Sequence, residues 1–488
     1  MSPKKMNDKK SSSSRHVLSV FALAMMSVAC VMSLRGLPMM AKEGLPMIFF
    51  ILFAAVLFLV PVSLVSAELA SGWPQSGGVY RWVKEAFGPR WGFTAIWLQW
   101  IQNVVWYPTV LAFAAGALAY LFLNPALYEN KIFNILVILI VYWSATFVTF
   151  RGMKAVSRLS TIGVIAGTIL PGVLIIVLGI LWIGAGNPVE FMKTSHSILP
   201  DFSNFDKVAF LAGIVLLFAG MEVTAVHVTE MKDPRKEYPR AIFIAMAIIV
   251  VVFTLGSLVL AAMIPEASIS LTAGLMQGFG DLLSMFHIHW LLPVIGFLVA
   301  FGTVGGVIAW IAGPSKGLLA TAKDGELPPF MQYTNKHGIQ THILWIQGAI
   351  VTLLSLVYLL MPTVSSGFFI LTALTALLYL TMYGLLYATA IKLRYSQPDV
   401  ERTYKVPGGN LGMWLVAGVG FLAVLFAFIV GFFPPAQLTV GSPTFYVIFL
   451  IAGVIIFVAA PFIIHHFKKP SWMPENKNQG ERDDEEKT

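Results

Sequence analysis

Charge is scarce in this chain. Asp, Glu, Lys and Arg together make up 11% of its 488 residues, whereas soluble domains carry about 25%. A water-soluble globule is thereby excluded, and the 57% share of hydrophobic residues points to lipid as the solvent. Cysteine is almost missing: Cys30 stands alone, so neither an internal disulfide nor a cysteine-ligated metal cluster can be built. No His-Glu-x-x-His motif and no glycine-rich phosphate loop with its lysine occurs, and no serine nucleophile elbow is expected, which argues against an enzyme. Long polar stretches are lacking as well, which leaves no room for a signalling domain. The net charge of +8 comes from Lys and Arg scattered over short loops, a pattern of topology determinants rather than a nucleic-acid surface.

What the chain has is long apolar runs. A membrane-crossing helix needs roughly 20 such residues, and the pattern predicts an all-α polytopic membrane protein with twelve spans over residues 17–467. A basic tail, 1–16, precedes them and a polar tail, 468–488, follows. The first apolar run is too long for a signal-peptide core and lacks a small-residue cleavage site, so the tail is read as retained. An even span count puts both termini on one side. All but five of the 32 basic residues fall on that side; Lys131, Lys193 and Lys207 are opposite, Lys42 ends span 1 and Arg35 lies within it. Because cytoplasmic loops retain Lys and Arg, the expected location is the cell (inner) membrane with both termini cytoplasmic.

Two spans are interrupted. Span 1 (17–40) carries "SLRGLP", in which Gly36 tolerates unwinding and Pro38 removes a backbone donor. Span 6 (207–231) carries Gly220 followed by a carboxylate, Glu222. Two marked helices five spans apart predict a five-plus-five inverted repeat, spans 1–5 against 6–10, with two further C-terminal spans and a site at the crossing. Non-helical backbone at membrane depth survives only when buried or lining a cavity. Its freed amides attract a carboxylate and its freed carbonyls an ammonium, so a zwitterionic amino acid suits both.

Four stretches carry a resemblance: "ELASGWPQSGGVYRWVKEAFGPRWGF" (68–93), "FAGMEVTAVHVTEMKDPRKEYPRA" (218–241), "AGPSKGLLATAKDGELPP" (312–329) and "RTYKVPGG" (402–409). The chain resembles the amino acid, polyamine and organocation transporters, most closely their glutamate/GABA antiporter branch. The resemblance implies twelve spans, alternating access and exchange of an amino acid for a related amino acid or amine. It implies that Ser33, Leu34, Arg35 and Gly36 match the unwound span 1 segment that binds the substrate carboxylate. Phe218, Ala219 and Gly220 match the unwound span 6 segment, with an aromatic near Phe218 covering the substrate, and Glu222 matches a gating glutamate. Gating aromatics of such transporters select Trp310 on span 8 and Tyr383 on span 10. Where the antiporter branch has a tyrosine in the span 1 break, this chain has Arg35. The branch's C-terminal plug is not expected, since only about 20 residues follow span 12. A lysine that proton-coupled relatives place midway along span 5 is missing; "TIGVIAGTILPG" offers Gly167 and no titratable group, which favours exchange.

Several residues keep two readings. Arg35 either binds a substrate carboxylate, such as the side chain of glutamate, or pairs with Glu222 or caps freed carbonyls. Glu222 is either a proton-responsive gate or a fixed structural carboxylate. His227 is placed about 140° around the helix from Glu222, a packing residue rather than a relay. Tyr379, Tyr383 and Tyr387 form a stripe that is either core or pocket wall. Gln102 and Asn103 either reach the substrate or bond neighbouring helices. Glu68 and Glu230 are expected in a salt-bridge network at the cytoplasmic ends of spans 2 and 6. The expected partners are small amino acid or amine substrates and the bilayer, with a homodimer left open, no nucleic acid, and no cofactor or metal. A proton-coupled or facilitated amino acid permease is the alternative to an antiporter.

Overall fold

The computed structural model of the chain describes residues 18–75, 77–191 and 197–473. Eleven helices among them are long and apolar enough to cross a membrane, and a bent pair, Val20–Val31 with Leu34–Ala41, makes a twelfth. Spans 2 to 6 are Met47–Gly72, Pro89–Leu121, Lys131–Phe150, Val156–Gly184 and Phe205–Ala225. Spans 7 to 12 are Pro234–Met263, His289–Glu326, Thr341–Leu360, Val364–Ser396, Gly409–Val430 and Pro443–His466. The 1–16 tail and the 468–488 tail beyond Met473 lie outside the described residues. Below, the terminus face is the end of the bundle from which span 1 starts and at which span 12 ends, and the far face is the other.

Span 1 bends by 47°. The residues that leave the helix are Met32 and Ser33, both extended. A tight turn over Leu34–Gly36 follows, and the second half-helix starts with Pro38 in its first turn, where a missing N–H is no loss. Pro38 therefore begins the second half rather than breaking the first. Gly36 has an ordinary right-handed φ of −77°, so unwinding is not its role. It is needed for closeness: a Cβ there would sit 2.3 Å from Leu217 Cδ1 on span 6. Span 6 breaks after Leu217, passes Gly220 at φ +113°, and resumes at Met221–Ala225. That φ is open to glycine and strained for other residues. The two breaks face each other, with Cys30 Sγ donating to the Gly220 carbonyl at 3.5 Å, as an inverted repeat requires.

Small residues let spans 5 and 8 touch by backbone. A Cβ on Gly167 would lie 2.1 Å from the Leu298 carbonyl and 2.4 Å from Gly302 Cα, so no lysine could stand at this point of span 5. On the far face, the Ser270–Ala273 segment and the Gly274–Met285 helix cover spans 1, 3 and 10. Leu271 N–H donates to Ser365 Oγ, and Cβ atoms on Gly116 and Gly274 would press on Thr272 and Pro38. On the terminus face, the Val79–Phe87 helix buries Val79, Trp82 and Val83 and leaves Arg81 and Lys84 half-exposed, as its amphipathic sequence predicts. The start of the C-terminal tail docks on the 8–9 loop: Lys468 and His465 reach the buried Glu326 at 2.7 and 3.0 Å, and Gln332 donates to the Trp472 carbonyl.

Candidate functional site

A cavity of about 370 Å³ lies at the crossing of the two broken helices. Span 1 contributes Cys30, Ser33, Leu34 and Arg35, and span 6 contributes Ala219. Gln102, Asn103 and Trp106 project from span 3, Gly167 and Thr168 from span 5, Trp310 from span 8 and Tyr379 from span 10. The wall continues along Met25, Val28 and Val164 toward the terminus face and along Val110 and Phe113 of span 3 toward the far face.

Among the described residues Arg35 has one hydrogen-bond partner, Thr109, whose Oγ1 accepts from Nη1 at 3.1 Å. Its guanidinium carbon lies 5.5 Å from the Trp106 ring centre and 5.7 Å from that of Phe368, an aromatic sandwich that holds a cation by its ring quadrupoles. The side chain is 4% exposed, and its buried Nε has no partner. No carboxylate among the described residues lies within ion-pair distance. The expected alternative of an Arg35–Glu222 pair is thereby overturned, because Glu222 is saturated elsewhere. The Ser33, Leu34 and Arg35 backbone N–H groups likewise donate to no described protein group. The span 1 break thus presents unspent donors to the cavity.

Glu222 is 2% exposed and accepts three hydrogen bonds. Tyr379 donates to Oε1, Tyr383 donates to Oε2 at 2.7 Å, and Gln99 Nε2 donates to Oε1 at 3.1 Å. Tyr383 also accepts from Gly220 N–H at 2.9 Å, so the freed amide of span 6 is satisfied by protein. A chain from Gly220 through Tyr383 to Glu222 therefore locks the restart of span 6 to span 10. Of the stripe on span 10, Tyr379 lines the cavity; Tyr383 does not, and Tyr387 packs on Gly420 of span 11. Phe218 is fully buried against Phe253 and does not line the cavity, contrary to the expectation that it covers the site. Gly36 and Gly220 shape the backbone without forming the wall.

Gln102 and Asn103 both line the cavity and donate to the Gln99 carbonyl on their own helix, so neither bonds a neighbouring helix. Gln99, Thr109 and Phe368 were not legible as site residues individually. Gln99, Gln102, Asn103 and Trp106 do recur at i, i+3, i+4 and i+7, a polar face on an apolar helix that marks the cavity side.

On the terminus face Glu68 sits in a buried cluster. Arg394 approaches it through Nε and through Nη2 at 2.6 Å, Val406 N–H donates at 2.7 Å, and Arg402 Nε lies 3.5 Å away. Spans 2 and 10 and the 402–406 segment are tied together at this point. Glu230 is outside the cluster: it is half exposed and meets His227, three residues back on its own turn. Its expected place in the network is corrected accordingly, and His227 is a partly exposed partner rather than a packing residue. Contrary to the expectation of no nucleophile-elbow sequence, Gly313-Pro314-Ser315-Lys316-Gly317 spells G-x-S-x-G. It lies inside span 8, with the Ser315 hydroxyl bonded to the Ile311 carbonyl and to Gln340, so no elbow is formed. No group of three or more His, Cys, Asp or Glu among the described residues could hold a metal ion.

Comparison with known proteins agrees with this architecture. The amino acid permease profile matches residues 17–457. An uncharacterised transporter of Legionella pneumophila is 43% identical over 450 residues, covering 92% of this chain and 97% of its own. A glutamate/gamma-aminobutyrate antiporter of Lactococcus lactis is 33% identical over 469 residues, 94% of this chain and 91% of its own. A probable agmatine/putrescine antiporter of the same species is 24% identical over 392 residues, 79% and 82% of the two chains. With two discontinuous helices crossing at a cavity and the family profile spanning nearly all the chain, this protein belongs to the amino acid permease family of amino acid, polyamine and organocation transporters, and is a multi-pass membrane transporter of small molecules rather than an enzyme.

Proposed function

We propose that this transporter is an antiporter, exchanging an amino acid for a related amino acid or amine by alternating access, with glutamate and GABA the leading pair. The observation that carries the reading is Arg35: a buried cation on the cavity wall, without a carboxylate partner among the described residues, beside three free backbone amides. A guanidinium is a planar five-donor fork that matches a carboxylate. In this reading Ser33, Leu34 and Arg35 hold the substrate's carboxylate groups, and Ala219 and Trp310 form the opposite wall. Tyr379 closes the floor in front of Glu222. Gly36, Phe218, Gly220 and Tyr383 serve by position: they fix the two breaks. Glu222 is the gating residue, since it joins the restart of span 6 to span 10. Glu68 is the latch on the terminus face, and Glu230 has no part in it.

Exchange rather than proton symport is favoured by the span 5–8 contact, which leaves Gly167 no room for a titratable side chain. The excess of basic residues on the terminus face supports cytoplasmic termini in a cell inner membrane. The test is counter-transport. Purified protein in liposomes loaded with GABA, glutamate or nothing is given labelled glutamate at pH 5 and pH 7. Uptake confined to loaded vesicles is the expected result; equal uptake into empty vesicles rules out antiport and leaves a permease.

A further inference from the structure

A second concavity, of about 290 Å³, lies on the outside of the bundle between spans 4, 5 and 8. Val141 and Val148 of span 4, Leu159 of span 5, and Phe301 and Ile308 of span 8 form its wall, and Ser144 is its one polar side chain. It backs onto the substrate cavity. The two spaces are divided by the glycine seam of spans 5 and 8, where a Cβ on Gly163 would sit 3.1 Å from Gly305 Cα. Gly305 lines the outer groove, whereas its neighbour Gly306 lines the cavity.

The groove ends at positive charge. Val141, Ser144, Val148 and Arg151 follow at i, i+3, i+7 and i+10, so the face that lines the groove runs directly into Arg151 at the end of span 4. Arg158 precedes Leu159 and shares a face with the exposed Ile162 one turn on. Both arginines are exposed and neither has an ion-pair partner among the described residues. The 333–342 loop brings His337 against Gly152, next to Arg151, and leaves Lys336 exposed, and residues 150–160 and 333–342 contain no Asp or Glu.

We propose that this groove is a binding site for an anionic phospholipid, its phosphate held by Arg151 and Arg158 and one acyl chain laid between spans 4, 5 and 8. The chemistry fits from both ends. An apolar trough at membrane depth is bathed by acyl chains, and a basic cluster at the end of the spans, one helical turn beyond it, stands at the level of the headgroups. A zwitterionic lipid would fill the trough equally well but leave the arginines without a net negative partner. Because the trough wall is also the outer side of the cavity's glycine seam, a seated lipid props the packing of spans 5 and 8.

Native mass spectrometry of the delipidated protein, titrated with phosphatidylglycerol or phosphatidylcholine of the same acyl composition, tests the site. The wild type is expected to retain phosphatidylglycerol preferentially. Removal of each arginine, as Arg151→Gln and Arg158→Gln, weakens phosphatidylglycerol about fivefold and leaves phosphatidylcholine unchanged. The double Arg→Lys variant keeps the preference. Ser144→Phe, an exposed position that fills the trough, weakens both lipids with the arginines intact. Equal retention of the two lipids by the wild type, or a preference that survives in the double Arg→Gln variant, overturns the headgroup site. Unchanged lipid binding by Ser144→Phe overturns the acyl trough.

Discussion

Replacing Arg35 by Gln separates a substrate-binding arginine from a structural one. A charge near the centre of a membrane helix costs about 2.5–3.5 kcal/mol on insertion scales. Without substrate Arg35 recovers most of this through protein contacts: one hydrogen bond to Thr109, about 1 kcal/mol, and ring contacts with Trp106 and Phe368, about 0.5–2 kcal/mol. These contributions nearly cancel, so Arg35→Gln is expected to change the stability of the empty protein by no more than about 1–2 kcal/mol in either direction. Substrate changes the balance. A hydrogen-bonded guanidinium–carboxylate contact is worth about 1.5–3 kcal/mol, which corresponds to a loss of about 10- to 150-fold in glutamate affinity. Glutamine, which lacks the second carboxylate, distinguishes the two ends of the substrate. If Arg35 holds the side-chain carboxylate, glutamate loses affinity and glutamine does not. The assay pairs equilibrium binding, followed by the fluorescence of the neighbouring Trp106, with thermal unfolding in detergent. A sharp fall in melting temperature with an unchanged glutamate-to-glutamine affinity ratio would refute the reasoning and make Arg35 a packing residue.

Other substitutions test the surrounding parts. Glu222→Gln replaces one of the oxygens that accept from Tyr379, Tyr383 and Gln99, so a buried donor is orphaned at a cost of about 1–3 kcal/mol; exchange should fall with it, and wild-type exchange rates would show that Glu222 does not gate. Glu68→Gln leaves Arg394 and Arg402 buried without a counter-charge, and a loss of about 3–5 kcal/mol is expected in thermal unfolding; a shift like that of an exposed pair would mean that the cluster is hydrated. On the far face, burial and the nearby Glu266 push the Glu43 carboxyl well above the usual carboxylate range. The folded protein then binds the proton more tightly than the unfolded chain, so Glu43 lowers stability progressively as pH rises above about 4.3. Glu43→Gln should therefore melt higher than the wild type at pH 7 and equally at pH 4; a variant less stable at pH 7 would reverse the sign.

How much of this was legible from residues alone depends on what kind of interaction carried it. The spans were, because lipid solvent imposes a long apolar run on every crossing helix. Both breaks were legible as well, from Arg35 beside Gly36 and Pro38, and from Gly220 beside Glu222. Their causes were not. Pro38 turns out to start a half-helix, and Gly36 is small because Leu217 of span 6 packs on it, a contact between residues far apart in sequence. The polar face of span 3 was available as a helical repeat, yet which neighbour Gln99 meets was not. Tyr379, Tyr383 and Tyr387 share one stripe, and three different surroundings assign them to the cavity floor, the Glu222 lock and the span 11 contact.

The sequence by itself determined the solvent, the number of spans and the position of the two discontinuities. Each of these is a local property, set by the free energy of placing a given stretch in lipid or water. The tertiary structure decided the partners. Arg35 and Glu222 are both rare charges at membrane depth, and nothing in the one-dimensional order separates a pair from two independent sites. The fold places three hydrogen-bond donors on Glu222 and, among the described residues, leaves Arg35 with Thr109 and two rings, so one charge is spent holding helices together and the other is left facing the cavity. Pairing of buried polar groups is settled by which helix faces meet, and that is fixed only when the whole bundle packs.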